Sequence, residues 1–480
     1  MMFRVFSNKT IKYEQATLLP EKKWINPPRI VFLSFFIAIL IGSGLLSLPW
    51  AVPNGKPPLK YIDALFTSAS ATCVTGLIVK DTPNDFSLFG QLVILFLIQI
   101  GGLGIMTMAT FFLLLFGRRV TFKDTASVET SLGRSGFTNF RFFIKYVLLL
   151  TFSMEILGAL ILFFRLSGAT YDSPAIGKTI YIAIFHSISA FCNAGFSLYS
   201  TSFIGYNDDP IILLTITALI IIGGLGFIVV YNLLRLKIWK KDRIERGRLS
   251  LHSKVVLVGT CILIFVGFIS FLIFEWNNTM SDMSIGKKLL NGFFCAVTPR
   301  TAGFNTVDYG KISKPSTLIT MFLMFIGASP GSTGGGIKTA TFVVLIMTSW
   351  SMVKGSSSVS LFRRTMPMRV VQESIGILSL SIFVIIIMSV ALSITERTSD
   401  FGYGIKDIGS LTKIVFEVIS AFATVGLSTG ITPLLSYLGK IVITLTMFIG
   451  RIGPLVAALA IAQREIPPEV AYPEERLIVG

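Results

Sequence analysis

Charge is scarce in this 480-residue chain: 14% of residues are Asp, Glu, Lys or Arg, while 52% are hydrophobic. A water-soluble domain of this length has no use for so much apolar surface, so that class is excluded. Cysteine is scarce too. Cys73, Cys192, Cys261 and Cys295 lie in apolar surroundings without metal-ligand spacing, and they read as small packing residues, not as disulfides or ligands. Histidine occurs twice. His186 stands alone in an apolar stretch and reads as hydrogen-bonded packing; His252 sits in a basic loop. The chain offers no nucleophile–base constellation, metal cluster or cofactor loop, so no enzymatic activity and no organic cofactor are expected. Acidic residues number 25 against 42 basic ones, a formal charge of +17. That excess invites a nucleic-acid reading, which the placement of the charges argues against.

What is present is a series of apolar runs of about 20 residues, the length a helix needs to cross the hydrocarbon core. The basic residues gather between them, in alternate loops. One holds Arg118, Arg119, Lys123, Arg134 and Arg141; another Lys237, Lys240, Lys241, Arg243, Arg246 and Arg248; a third Lys354, Arg363, Arg364 and Arg369. This is positive-inside bias. It predicts a multi-pass protein of the lipid bilayer with these loops and both termini in the cytoplasm, facing anionic lipid or an acidic partner surface. Residues 1–28 lack a secretory apolar region and are expected to form a cytoplasmic tail.

Four segments repeat one pattern, a half-length apolar run followed by a turn ending in a small or apolar residue and glycine. They end in Val74-Thr75-Gly76, Asn193-Ala194-Gly195, Thr301-Ala302-Gly303 and Thr424-Val425-Gly426. The predicted half-helices run over roughly 61–71, 178–190, 285–297 and 406–421. A longer apolar helix precedes each, over roughly 30–50, 143–164, 255–275 and 371–394. Another follows, over roughly 87–116, 210–236, 316–350 and 437–462. The following helices carry a second landmark at Gly101, Gly223, Gly327 and Gly450, which lies 25, 28, 24 and 24 residues beyond the turn glycine of its unit. Two landmarks at near-constant spacing, four times over, define a fourfold internal repeat. Such turns read as re-entrant loops whose backbone carbonyls replace the water shell of a monovalent cation. The plainer alternative is that the glycines only terminate the half-helices.

These motifs, with Gly450-Arg451-Ile452-Gly453-Pro454 in the fourth unit, resemble the Ktr/Trk/HKT superfamily of potassium transporters over nearly the whole chain. With no room for the extra helices of the Trk branch, the chain looks most like a bacterial Ktr membrane subunit. The resemblance implies an all-α polytopic membrane protein: four helix–pore-loop–helix repeats, eight transmembrane helices and four re-entrant half-helices around a pseudo-fourfold pore. The repeats would span 29–117, 118–236, 237–350 and 351–463, with a C-terminal cytoplasmic tail at 464–480. It further implies gated uptake of potassium ion across a bacterial cell membrane, a homodimer, and a cytoplasmic ring of nucleotide-binding (RCK-type) regulatory subunits. A sodium-selective or sodium-coupled version of the same pore is the first alternative. In this family serine at the first filter position goes with sodium preference, and Gly76 argues against it. An alternating-access carrier is the second, and four parallel repeats argue against that.

The twelve residues of the four triplets are the candidate ion-binding residues. Gly327, Gly331, Ser332, Thr333, Gly334, Gly335 and Gly336 lie in a stretch too rich in glycine and proline to be helical, and are expected to form a gating loop beneath the filter. GSTGGGIKT lacks the spacing of a phosphate loop. Arg451, inside an apolar helix, is expected to face the pore, to bond carbonyls of that loop, or both. Asp63, Asp81, Asp85, Asp308 and Asp407 read singly as solvated loop charges and together as a cation-concentrating mouth. Glu155, within an apolar helix, reads as paired with a neighbouring polar group, the alternative being a proton relay.

Overall fold

The computed structural model describes residues 27–103, 140–168, 176–236, 249–356, 358–397 and 410–461. Most of the predicted tail at 1–28, the whole of that at 464–480, most of the first two basic loops and Asp407 lie outside these residues. Four long helices are present: α1 (Pro27–Leu46), α4 (Phe140–Gly168), α8 (Leu251–Glu275) and α12 (Met368–Arg397). After each comes a shorter helix: α2 (Tyr61–Thr72), α5 (Ile176–Phe191), α9 (Ile285–Val297) and α13 (Leu411–Phe422). The third elements are α3 (Leu88–Gly102), α6 and α7 (Pro210–Leu225, Phe227–Leu234), α10 and α11 (Lys314–Phe325, Thr339–Val353), and α14 and α15 (Tyr437–Ile452, Pro454–Ile461).

The third elements start alike. Ser87, Asp209, Ser313 and Ser436 are N-caps whose side chains accept from backbone N–H groups two or three residues on. They end differently from the sequence expectation, which ran three of them unbroken. Gly226 (φ 89°) separates α6 from α7 with a bend of 100°, and Gly453 (φ 93°) separates α14 from α15. A φ near +90° is closed to residues with a Cβ, so glycine sets the break. By length and apolarity, four helices among the described residues can cross a bilayer alone, or five if the bent pair is one span. The expected eight crossings are therefore not eight continuous helices.

Packing within a unit repeats. The long helix lies on its half-helix, α1 on α2, α4 on α5 and α8 on α9. A glycine of the long helix makes room: Gly42 receives Ser68 and Leu97, and Gly158 receives Ser187 and Leu219. Ser68 then donates to the Ile39 carbonyl at 2.8 Å and Ser187 to the Glu155 carbonyl at 2.6 Å. Between units the contacts run in a cycle. The third element of each unit packs on the half-helix of the next: α3 on α5, α6 on α9, α10 on α13, and α14 back on α2. The half-helices thus occupy the centre, and ten of the twelve residues of α2 are buried. The long helices lie outside and present Leu149, Ile156, Phe164, Phe265, Ile273 and Phe383 to their surroundings. Apolar side chains thus cover the outside as well as fill the core, where Phe, Ile and Val are joined by buried Ser and Thr, and such an exterior suits a hydrocarbon solvent.

Candidate functional site

Each half-helix ends in a turn of one design. Val74, Asn193, Thr301 and Thr424 have φ between 51° and 70°, and the glycine two residues on has φ between 70° and 92°. In three units the N–H between these left-handed residues is spent backwards. Thr75 donates to the Ser70 carbonyl (2.8 Å), Ala194 to Ser189 (2.8 Å) and Val425 to Ser420 (2.9 Å). The third unit uses Ala302 to Thr298 at 3.0 Å. Six residues before their glycines, the Ser70 and Ser420 hydroxyls accept the glycine N–H at 3.1 Å.

The four turns meet. A Cβ added to Gly76 would lie 2.6 Å from the Ala194 oxygen and 2.9 Å from Cα of Gly195. On Gly195 it would lie 2.9 Å from the Ala302 oxygen and 3.2 Å from Cα of Gly303. On Gly303 it would meet the Val425 oxygen and Cα of Gly426; on Gly426, the Thr75 oxygen and Cα of Gly76. The glycines, 76, 195, 303 and 426, close a ring in chain order. The predicted triplets are therefore brought together, and their side chains are buried behind the ring. Asn193 and Thr301 pair at 3.2 Å, with the Asn193 amide nitrogen on the Ala190 and Ile220 carbonyls.

The glycine-rich segment crosses the same region. Gly334 fits against the Thr301 side chain and Gly335 against Thr424, where substituents would clash. The Gly335 N–H donates to Thr424 Oγ1 at 3.0 Å. The broken α6–α7 helix holds the other side: Ser329 N–H donates to the Gly224 carbonyl (3.1 Å), Thr333 N–H to Gly223 (3.3 Å), and Phe227 N–H to Gly331 (3.0 Å). Of the predicted gating residues, Thr333, Gly334 and Gly335 are buried at the turns, Gly331 sits at the α6–α7 break, and the Ser332 hydroxyl donates back to the Ser329 carbonyl at 2.6 Å. Gly327 backs onto Gly335 and Gly336, which folds the segment on itself. Arg451 is 4% exposed. Its Nη1 donates to the Thr333 carbonyl and its Nη2 to the Gly101 carbonyl, one acceptor on the loop and one at the end of α3.

Two cations at this site were missed. Lys338 Nζ donates to the Gly334 carbonyl at 2.7 Å, closing the loop from its far end. Arg300, behind the third turn, donates through Nη2 to Thr260 (3.3 Å) and Thr339 (3.1 Å). Thr339 in turn donates to the Gly327 carbonyl at 3.1 Å. Both residues stand inside segments singled out by sequence, the charge being the available signal. The acidic mouth differs from expectation: Asp63, Asp85 and Asp308 each pair with a lysine, Lys440 (2.7 Å), Lys56 (2.8 Å) and Lys311 (3.7 Å). Asp81 accepts from Asn84 and Ser200, both at 2.6 Å. Glu155 accepts from Gln99 at 3.0 Å and lies 3.8 Å from the Cys192 sulfur.

The TrkH family, described as a cation transport protein, matches residues 13–467. The chain belongs to that family. It is 38% identical to the Ktr system potassium uptake protein B of Bacillus subtilis, over 97% of this chain and 100% of that one. A Ktr system potassium uptake protein B from Vibrio alginolyticus is also 38% identical, over 94% and 95%. The potassium/sodium uptake protein NtpJ of Enterococcus hirae is 36% identical, over 96% and 98%. The fold is that of the potassium transporter TrkH from Vibrio parahaemolyticus, whose crystal structure aligns at a TM-score of 0.70 and 20% identity, covering 92% of this chain and 86% of that one.

Proposed function

We propose that this chain is the pore-forming membrane subunit of a potassium-uptake system. The closed ring of Gly76, Gly195, Gly303 and Gly426 carries the reading. On it, the four units, 29–117, 118–236, 237–350 and 351–463, surround a pseudo-fourfold pore, and each broken third element counts as one crossing, eight in all with the long helices. Backbone carbonyls of the four triplets replace the hydration shell of a potassium ion. The half-helices α2, α5, α9 and α13 end at the ring, and their C-terminal dipoles, each worth roughly half a negative charge, favour a cation where no carboxylate stands. Below, the loop 327–336 blocks the path and Arg451 pins it while opposing the ion by its charge.

The names of the relatives support potassium as the cargo, and the potassium/sodium uptake relative supports a second reading in which sodium permeates or couples. Uptake of potassium, rubidium and sodium by proteoliposomes separates them. Potassium and rubidium flux well above sodium flux is expected; sodium flux equal to or above potassium flux overturns the assignment.

The same reading places the protein in a bacterial cell membrane with both termini cytoplasmic. It also makes the chain a homodimer on a ring of nucleotide-binding (RCK-type) subunits. Support for a docking partner lies in the third basic loop, where a hairpin pairs Ser360–Leu361 with Arg364–Thr365 and exposes Arg363 and Arg364. Such a loop has no room for a domain of its own, so nucleotide control is expected only when a second subunit co-purifies. Full nucleotide regulation of the isolated chain would overturn this part.

A further inference from the structure

Nine residues before the ring glycine, two of the four half-helices carry a buried hydrogen-bond acceptor. In the second unit it is His186; in the fourth it is Glu417, which has no exposed surface. His186 Nδ1 faces the Ile182 carbonyl of its own helix at 2.9 Å, which assigns the proton to Nδ1 and leaves Nε2 to accept. Nε2 takes the Ser197 hydroxyl at 3.0 Å and the Leu198 N–H at 3.2 Å. Glu417 Oε1 takes the Ser428 hydroxyl at 2.6 Å and the Thr429 N–H at 2.9 Å. Counted from Gly195 and from Gly426, the donors are the same: the hydroxyl two residues on and the backbone N–H three residues on. A neutral ring and a carboxyl group thus do one job in two units. Glu417 Oε2 adds the Thr432 hydroxyl at 2.8 Å. The other two half-helices have no such acceptor. Thr67 stands there in the first, its hydroxyl without a partner, and Phe294 in the third. Bracing by an acceptor at this position therefore alternates around the ring, in the two units that face each other. In the third unit the segment is held from the second instead, the Asn305 N–H donating to Ser202 Oγ at 3.3 Å and the Phe203 N–H to the Asn305 carbonyl at 3.0 Å.

We propose that His186 and Glu417 are positioning residues that set the ion selectivity of the ring, an inference resting on the filter reading above. The segment leaving each glycine carries carbonyls adjoining the ring. Discrimination by carbonyl ligands depends on how far they can follow a smaller ion inward. A segment whose hydroxyl and N–H are tied to one buried acceptor is held against that movement, because shifting it leaves both donors and the acceptor unsatisfied. If these residues only support folding, their loss lowers the yield or stability of the protein and leaves discrimination between ions unchanged.

The test is potassium and sodium uptake by proteoliposomes containing His186→Phe, Glu417→Leu, the milder Ser197→Ala and Ser428→Ala, and Thr67→Val as control. The potassium-to-sodium uptake ratio is expected to fall about tenfold in the first two and about threefold in the serine variants, and to stay at the wild-type value in Thr67→Val. His186→Gln, which returns an acceptor, should recover most of the ratio. Serine variants with a wild-type ratio overturn the inference, whatever becomes of the larger substitutions. Gly76→Ser measured alongside keeps the two readings apart. A lowered ratio there with none in the serine variants sinks only the bracing, and an unchanged ratio in Gly76→Ser sinks the filter.

Discussion

A methyl group on Gly76 would sit 2.6 Å from the carbonyl oxygen of Ala194, closer than a carbon can approach, on a backbone with φ of 89°. Gly76→Ser therefore has to open the ring between the first and second units or turn its own carbonyls away. Potassium affinity and discrimination against sodium are both expected to fall, discrimination by about tenfold, the factor that about 1.4 kcal/mol of relative binding produces. Uptake kinetics for both ions, compared with wild type, check this. Arg451 is the other residue on which much depends. Its two carbonyl acceptors lie 118 and 350 positions away in the chain, so one guanidinium joins the loop of the third unit and α3 of the first to α14 of the fourth. Lysine has no fork to reach two such acceptors, so Arg451→Lys is not a conservative change.

At the scale of elements, the segment 327–336 owes its shape to neighbours: Gly334 against Thr301, Gly335 against Thr424, and the α6–α7 break. With so much glycine its own preference for one conformation is weak. Deleting several of its residues is expected to raise potassium flux strongly. Arg451→Ala should raise it too, and the combined variant should gain less than the sum of the two, since both changes remove one closed arrangement. Flux in proteoliposomes for the two single variants and the double checks this, and reduced flux in a well-folded deletion would make the segment a support and not a gate. The two helix breaks allow a separate comparison. Gly226 has the Pro330 carbonyl 2.7 Å from where a Cβ would stand, whereas Gly453 has open space, at nearly the same φ. Gly453→Ala should cost roughly 1–3 kcal/mol, the strain of placing a Cβ on backbone at φ 93° and ψ 136°, a region kept almost entirely to glycine. Gly226→Ala should cost more and also disturb the loop. Thermal denaturation in detergent ranks them.

For the whole molecule the question is what closes the ring of units. Lys440 at the start of α14 binds Asp63 in the first turn of α2 at 2.7 Å, across 377 positions of sequence, and both side chains are largely buried. Losing one partner leaves a charge in a dry place, a cost of about 3–5 kcal/mol for buried pairs. Asp63→Asn and Lys440→Met are each expected to lower thermal stability markedly, and the double variant to recover much of it. Equal and additive losses would show that the pair does not hold the first and fourth units together. The exposed apolar helices around this centre need an apolar surrounding, so these measurements belong in detergent or bilayer.

Local pattern was legible. Half-helices expected at 61–71, 178–190 and 285–297 are found at Tyr61–Thr72, Ile176–Phe191 and Ile285–Val297, because apolar run length and the terminating glycine are properties of neighbouring residues. The sequence by itself determined the four turns, their spacing, the non-helical segment at 327–336 and an arginine inside an apolar helix. Tertiary structure alone decided which turn meets which, that Gly226 and Gly453 break their helices, that Arg451 has a second acceptor at Gly101, and that Lys338 and Arg300 stand at the loop. It also decided that His186 and Glu417, unlike in chemistry, accept the same donors. The ring contacts and the two Arg451 bonds depend on closing four units into a cycle, which no periodicity within one unit encodes; the His186, Glu417, Lys338 and Arg300 bonds lie within one unit and need its turn folded back on its helices.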